Sequence, residues 1–517
     1  MSRRRGRSAR VVAGARNALW ILMWVLVWAG VVLAAAGLWI RAAFGVVSVD
    51  QLQMNLVGAE TGDASLVWRG ALWVGAVPLL VVGALVVLVT LSRRSLRDAG
   101  LLGAGTPRAS RVAAGVLACA LPIASVGVGG ALFGGAVQVR DYARSIASGL
   151  DLADYAVSPV TGSGEPRNLI LVYLESVEDA MADDGTFEED MLAPLAAATT
   201  DWERIDALTQ APGGGWTMAG VVATQCGIPL RSATAATGSQ ILNRVGEEPG
   251  RYLPGAVCLG DVLQEHGYRS IFLGGANATF AAKDRFLREH GYDEVRDLRT
   301  WREQGEPASA MRDDWGLGDR RLLELAADEA AELHREGAPF NLTVLTLDTH
   351  EPAVAPEGCD MRAAEPMTDI TRCSMEAVAG FVASLDAEGI LEDTTVVVMG
   401  DHLKQVASWA SFHDELGPLA EADAALAPGR TPERTIFNRV WSPEPVAFTR
   451  ERIDQLSMYP TLIELAGIPL EDHRAGLGVS ALAPGIPEGS ALALDDETYD
   501  ALLRSRSPEF YRDLWSG

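Results

Sequence analysis

The chain has 517 residues, 43 Lys and Arg against 68 Asp and Glu, a formal net charge of −25 and 48% hydrophobic residues. The length leaves room for more than one domain, and so acidic a chain repels phosphate backbones, which argues against nucleic acid as a partner. The charge is unevenly divided: residues 1–149 hold 15 Arg against 5 acidic residues, and the whole acidic excess lies beyond them.

Three apolar stretches, about 17–40, 70–91 and 112–137, reach the ~20 residues that a helix needs to cross a bilayer. One such run also fits a buried core helix. Three in succession, the first carrying Trp20, Trp24, Trp28 and Trp39, predict a membrane domain over 1–149. A cleaved leader fits poorly, because the first run is long and two more follow. Arg3, Arg4, Arg5, Arg7, Arg10 and Arg16 precede the first span without an acid, and Arg93, Arg94, Arg97, Arg108 and Arg111 face only Asp98 between the second and third. The other connection is nearly balanced, with Arg41 and Arg69 against Asp50, Glu60 and Asp63. Positive residues stay inside, so the N-terminus is expected in the cytoplasm and the long C-terminal region outside it.

A polar stretch, SPVTGSGEPR, reads as part of a linker over 150–167, with an extracytoplasmic domain over 168–484 and a C-terminal tail over 485–517. Short β-rich runs at 168–174, 270–274, 341–347 and 394–399 alternate with helical patterns such as 319–335 and 375–386. That alternation predicts an α/β domain with a mainly parallel central sheet. Cys119 falls in the third span. Cys226, Cys258, Cys359 and Cys373 make an even set in a compartment where disulfides persist. Cys359 and Cys373 flank a short loop and are expected to pair, leaving Cys226 for Cys258; the spacing does not suit zinc.

The residues that follow the runs carry the chemistry. The first ends in Glu175-Ser176, the third in Asp348-Thr349-His350, and the fourth in Gly400-Asp401-His402. Ligands of open α/β sheets bind at the carboxyl ends of strands, so three strands deliver acids and imidazoles to one edge. Any one of these residues is as well read as a helix cap; three together are not. Glu175, Asp401 and His402 form a hard O/O/N set suited to Mn²⁺, Zn²⁺ or Mg²⁺. In Gly213-Gly214-Gly215-Trp216-Thr217, Thr217 opens a helical pattern, where free N–H groups favour an anion. Alone it reads as an ordinary N-cap. Beside a metal triad it reads as a nucleophile. Only two lysines occur, Lys283 and Lys404, and both lie beside these motifs.

The ordered motifs NLILVYLES, GGGWTMAGVVATQCGIPL, CLGDVL, GANATFAAKDRFL, DDWGLGD, LTLDTHEP and VVVMGDHL, closing with DQLSMYPTLIELAG and GLGVS, cover roughly 168–480. They resemble the phosphoglycerol transferase I family of the alkaline phosphatase/sulfatase-like superfamily, to which lipoteichoic acid synthases also belong. The resemblance implies a single-metal site of Glu175, Thr217, Asp401 and His402, with Thr217 as nucleophile and Mn²⁺ as the expected ion. It implies that His350 and Lys283 bind substrate. Asn277 stands where the synthases carry an acid, and Trp315 is a candidate pocket wall. The implied reaction moves phosphoglycerol from phosphatidylglycerol to a hydroxyl of a periplasmic glucan or other envelope polysaccharide, through a glycerophosphoryl-threonine, at a bacterial inner membrane. Sulfatases instead mature a Cys in C-x-P-x-R. Here CGIPLR places the proline one position late and Thr217 already holds the nucleophile's place. A phosphoethanolamine transferase or another hydrolase of this fold is the nearest alternative, and a non-catalytic membrane receptor is the alternative of another class.

Overall fold

The computed structural model describes residues 2–44, 68–99, 107–137, 139–140, 143, 149–231, 251–407, 409–426, 430–450 and 452–516. They form two compact units, Met1–Tyr142 and Ala143–Gly517.

The first unit contains helices α1 (Ser2–Phe44), α2 (Val77–Asp98, entered through one π turn, Ala71–Ala76) and α3 (Arg108–Ala136). Three segments are long and apolar enough to cross a membrane: Asn17–Ala42, Trp68–Asp98 and Gly115–Ala136. Leu19, Leu80, Leu117 and Ile123 stand exposed, as side chains facing lipid would. Small residues let α1 and α3 touch. A Cβ on Gly129 would lie 2.0 Å from the Gly30 carbonyl oxygen, and Ser125 Oγ donates to the Val27 carbonyl at 3.0 Å. The chain is thus a membrane protein with a separate C-terminal domain. The connection 45–67, with the Asp50, Glu60 and Asp63 of the orientation argument, lies outside the described residues.

The second unit is built on a six-stranded sheet. In chain order the strands are β1 (Asn168–Leu174), β2 (Arg269–Gly274), β3 (Glu294–Arg296), β4 (Phe340–Leu345), β5 (Thr394–Gly400) and β6 (Asn438–Trp441). Their spatial order is β3-β2-β4-β1-β5-β6; all neighbours are parallel except β5 and β6. The central strands are buried on both faces, which is why each reads as a continuous apolar run rather than an alternation. Tyr173 pairs with Leu345 and Leu174 with Gly400, so β1, β4 and β5 end level with one another. Helices α4 (Thr217–Cys226), α5 (Leu259–Glu265), α6 (Lys283–Glu289), α7 (Asp319–Glu336), α8 (Pro366–Ala387) and α9 (Gln455–Leu465) pack around the sheet.

Two segments differ from the sequence reading. The stretch read as a linker is laced to the domain: Gly162 N–H donates to Pro469 O, Arg167 N–H to Ala466 O, and Glu471 N–H to Val160 O. Its polar composition reflects where its side chains point, while its backbone pairs with 466–476. The segment read as a tail folds into α10 (Asp496–Arg504) and α11 (Pro508–Ser516). Tyr511 is fully buried there, with its hydroxyl on the Pro229 carbonyl.

Cys226, the last residue of α4, is bonded to Cys258 at the head of α5, and Cys359 is bonded to Cys373. The first bridge closes a sequence separation of 32 residues. Replacing Cys226 and Cys258 together by Ser is expected to cost the domain about 3–4 kcal/mol, read as a lower denaturant midpoint, and reductant is expected to lower the variant's midpoint less than the wild type's, because only the Cys359–Cys373 bridge is left to open.

Candidate active site

The site grows from the ends of β1, β4 and β5. Beyond Leu174 the chain turns sharply at Ser176, which sits in the left-handed region at φ 56°. The turn directs Ser176 N–H to Asp401 Oδ1 at 2.8 Å and Ser176 Oγ to Glu175 Oε1 at 2.7 Å. Glu175 N–H donates to Thr346 Oγ1 beyond β4, and Thr349 Oγ1 returns a bond to the Glu175 carbonyl. Asp401 N–H donates to the Leu174 carbonyl. The three strand ends are therefore tied into one frame before any ligand is considered.

Within that frame Glu175, Asp401 and His402 are all buried, and their ligand atoms lie within 4.8 Å of one another. His402 Nδ1 is bonded to the Leu403 carbonyl at 2.8 Å, an assignment that leaves the Nε2 lone pair for the site. Nε2 stands 3.6 Å from Glu175 Oε1 and 3.6 Å from Asp401 Oδ2. Asp401 Oδ1 is satisfied by two backbone N–H groups, from Ser176 and His402, but the buried Oδ2 has no hydrogen-bond partner. A carboxylate oxygen in that position is costly unless a cation meets it. Two carboxylates and an imidazole lone pair at this spacing suit one divalent ion with ligands ~2.1 Å away. The cluster is a candidate metal site.

Thr217 opens α4, and its hydroxyl donates to Glu175 Oε2 at 3.1 Å. Glycines let the helix come this close. A Cβ on Gly220 would lie 2.1 Å from the Asp401 carbonyl oxygen, and one on Gly214 would lie 2.2 Å from Gln455 Oε1. Gln455, at the head of α9, ties the parts together: Oε1 accepts Ala211 N–H at 2.9 Å and Nε2 donates to the Asp401 carbonyl at 2.8 Å. Gln210 Oε1 accepts Leu403 N–H. Sequence reasoning missed both glutamines; the only signal for Gln455 was its place in DQLSMYP.

The remaining candidates divide. Lys283 is 7% exposed; its backbone N–H donates to the Phe280 carbonyl, while its ammonium has no hydrogen bond or ion pair among the described residues. Burial pushes its ammonium pKa down, while the charges of Glu175, Asp401 and Asp297 oppose that shift. Two successive left-handed alanines, Ala281 and Ala282, set it at the start of α6, a strained turn of the kind found at functional sites. His350 lies against Trp315, ring centroids 4.5 Å apart, and Trp315 against Phe280 at 5.7 Å. Phe280 is half-exposed and was not foreseen. Asn277 is exposed and its carboxamide oxygen serves the Thr279 turn, at 3.0 Å from N and 2.9 Å from Oγ1. Its described contacts are with that turn, not with the metal cluster. Lys404 is buried against Thr349 O and Glu351.

The charges follow from burial and adjacency. Burial drives Asp401 upward, and the neighbouring Glu175 charge drives it further. Burial alone would raise Glu175 too, but His350 and His402 outweigh it and hold that carboxyl low. Burial opposes the charge on His402, yet Asp401 and Glu175 leave its pKa raised. Burial pushes His350 down against the pull of Glu175, favouring the neutral imidazole.

The sulfatase family profile matches residues 167–468, more than half the chain. The chain belongs to the sulfatase family. Among curated proteins, phosphoglycerol transferase I of Xanthomonas campestris pv. campestris is 32% identical over 359 residues, covering 68% of this chain and 47% of that protein. The enzyme of the same name from Xanthomonas axonopodis pv. citri is 37% identical over 244 residues, covering 46% and 34%. The chain thus spans half or less of the length of these relatives. The lipoteichoic acid synthase LtaP from Listeria monocytogenes aligns at TM-score 0.47 and 14% identity, covering 66% of this chain and 81% of that one. Membership of the sulfatase family does not bring a formylglycine precursor here, because Cys226 is held in a disulfide.

An unpaired charge on Asp401 destabilises the metal-free domain, and the sign of the pH effect follows. The folded pKa lies above the unfolded one, so the penalty is full in alkaline buffer and fades as the pH falls toward the ordinary carboxylate range. Asp401→Asn is expected to raise the unfolding midpoint of the chelator-treated protein at roughly pH 8, and to raise it less at roughly pH 5. Added Mn²⁺ is expected to stabilise the wild type but not the variant, measured by thermal unfolding.

Proposed function

We propose that the chain is a metal-dependent phosphotransferase that moves phosphoglycerol from phosphatidylglycerol to a hydroxyl of an extracytoplasmic glycan, either a periplasmic glucan or another envelope polysaccharide. The observation that carries the reading is Thr217: a hydroxyl at a helix N-terminus, 3.1 Å from Glu175, inside a buried O/O/N cluster. A divalent ion held by Glu175, Asp401, His402 and Thr217 Oγ1, Mn²⁺ in our reading with Zn²⁺ or Mg²⁺ as substitutes, would lower the hydroxyl pKa and offset phosphoryl charge. Support for the transferred group comes from the relatives named phosphoglycerol transferase I.

Thr217 Oγ attacks the donor phosphorus, the bond from phosphorus to the diacylglycerol oxygen breaks, and His350 Nε2 carries the threonine proton to that oxygen. Diacylglycerol departs, and glycerophosphate stays on Thr217. An acceptor hydroxyl then attacks the same phosphorus, loses its proton, and returns Thr217 to its hydroxyl form. The free N–H groups at the head of α4 and the unpaired ammonium of Lys283 stabilise the phosphoryl oxygens. His350 assists proton movement. Its Nδ1 is occupied by the Glu351 carbonyl at 2.6 Å, which leaves Nε2 to take the acceptor's proton. Two displacements imply ping-pong kinetics and retained configuration at phosphorus. A membrane anchor with its N-terminus in the cytoplasm of a bacterial inner membrane would hold the site beside its lipid donor.

A phosphoethanolamine transferase is disfavoured by how the histidines are used. His266, His290, His334 and His473 are each engaged with groups outside the cluster and His413 is exposed at the start of the helix His413–Ala424, leaving His350 and His402 for it. A non-catalytic receptor has no use for the clustered Glu175, Thr217, Asp401 and His402. Purified protein with headgroup-labelled donors tests the reading. Transfer from phosphatidylglycerol but not phosphatidylethanolamine is expected, falling by a factor on the order of 10³ or more in Thr217→Ala. Full transfer by that variant overturns the proposal, and a preference for phosphatidylethanolamine replaces the headgroup.

A further inference from the structure

The two lysines do different work. The Lys283 ammonium is buried without a partner among the described residues, whereas Lys404 is 3% exposed and fully engaged. Lys404 Nζ donates to the Thr349 carbonyl at 2.7 Å and stands 3.0 Å from Glu351 Oε1. A substrate phosphate therefore cannot claim it without breaking two contacts.

What Lys404 holds is the anchor of the His350 turn. The Glu351 carboxylate is fixed by Lys404 and by Ser411 N–H at 2.9 Å. The carbonyl of the same residue accepts His350 Nδ1 at 2.6 Å and Trp315 Nε1 at 3.2 Å. One residue thus sets the tautomer and direction of the imidazole and braces the indole that meets it edge-on. Lys404 follows His402 by two positions, and its backbone is locked in turn: its N–H donates to Glu178 Oε2, and Arg434 donates to its carbonyl. The frame that ends in His402 is thereby connected to the turn that carries His350.

We infer that Lys404 and Glu351 are positioning residues that act through His350, fixing its Nε2 relative to the Asp401–His402 strand end. The inference rests on the reaction proposed above. The backbone of the turn has separate support, because Arg312 donates to the carbonyls of Leu347, Asp348, His350 and Pro352. Losing the Lys404 contact should therefore release the ring without unfolding the turn.

The test is a double-mutant cycle on the full-length, Mn²⁺-loaded chain, using phosphatidylglycerol and an acceptor glycan. Lys404→Met is expected to lower kcat about tenfold with KM and bound metal unchanged, the pattern of a lost transition-state interaction. In a His350→Ala background the same change is expected to add nothing. Glu351→Gln, which keeps the carbonyl but removes the ion pair, should reproduce the loss and serves if Lys404→Met does not fold. Losses that multiply in the double variant, a loss of bound metal, or an unchanged kcat in both single variants overturn the inference. Transfer from phosphatidylethanolamine alone defeats the headgroup assignment while leaving the cycle readable on that donor. A chain that transfers from neither donor overturns both.

Discussion

Glu175 and Asp401 are two acids buried side by side, and the rest of the domain is arranged to keep them there. Like charges at this spacing in a low-dielectric interior repel unless something positive lies between them. The protein meets part of that demand with its own groups. Two backbone N–H bonds go to Asp401 Oδ1, a serine hydroxyl goes to Glu175, and the His402 ring stands 3.6 Å from both. It leaves one oxygen, Asp401 Oδ2, unmet. That residual deficit is what marks the cluster as a candidate cation site.

The same constraint explains the packing around it. A helix can present Thr217 to the acids only if its first turn passes against the Asp401 backbone, and Gly220 is where a side chain would collide. Gln455 then bridges that helix entrance to the strand end from a third element, α9. On the opposite side, Lys404 and Arg312 hold the turn bearing His350. Lys283 is set at the head of α6 by a strained turn, and its ammonium has no partner among the described residues.

Much of this was legible in the sequence for a physical reason. A parallel sheet covered on both faces makes each strand a continuous apolar run, so β1, β4 and β5 could be delimited, and the acids following them stood out against that background. Thr217 was legible because glycines precede it. Other features left little trace. The strands β3 and β6 are three and four residues long, too short for a period to show. Gln455 and Gln210 act through amides at distances no local pattern encodes. The polar segment 158–167 looked like a linker because backbone pairing leaves no mark on composition. Helices α10 and α11 are short and amphipathic, and the burial of Tyr499, Leu502, Leu503, Tyr511 and Leu514 shows that they belong to the domain.

The account stands on Thr217 carrying the phosphoryl group between donor and acceptor. The most direct measurement is mass spectrometry of the full chain after incubation with headgroup-labelled phosphatidylglycerol and Mn²⁺ in the absence of acceptor. The account predicts labelled glycerophosphate on the peptide containing Thr217, discharged when acceptor glycan is added. Label on a different residue, or transfer to acceptor with no label ever found on the protein, would contradict it.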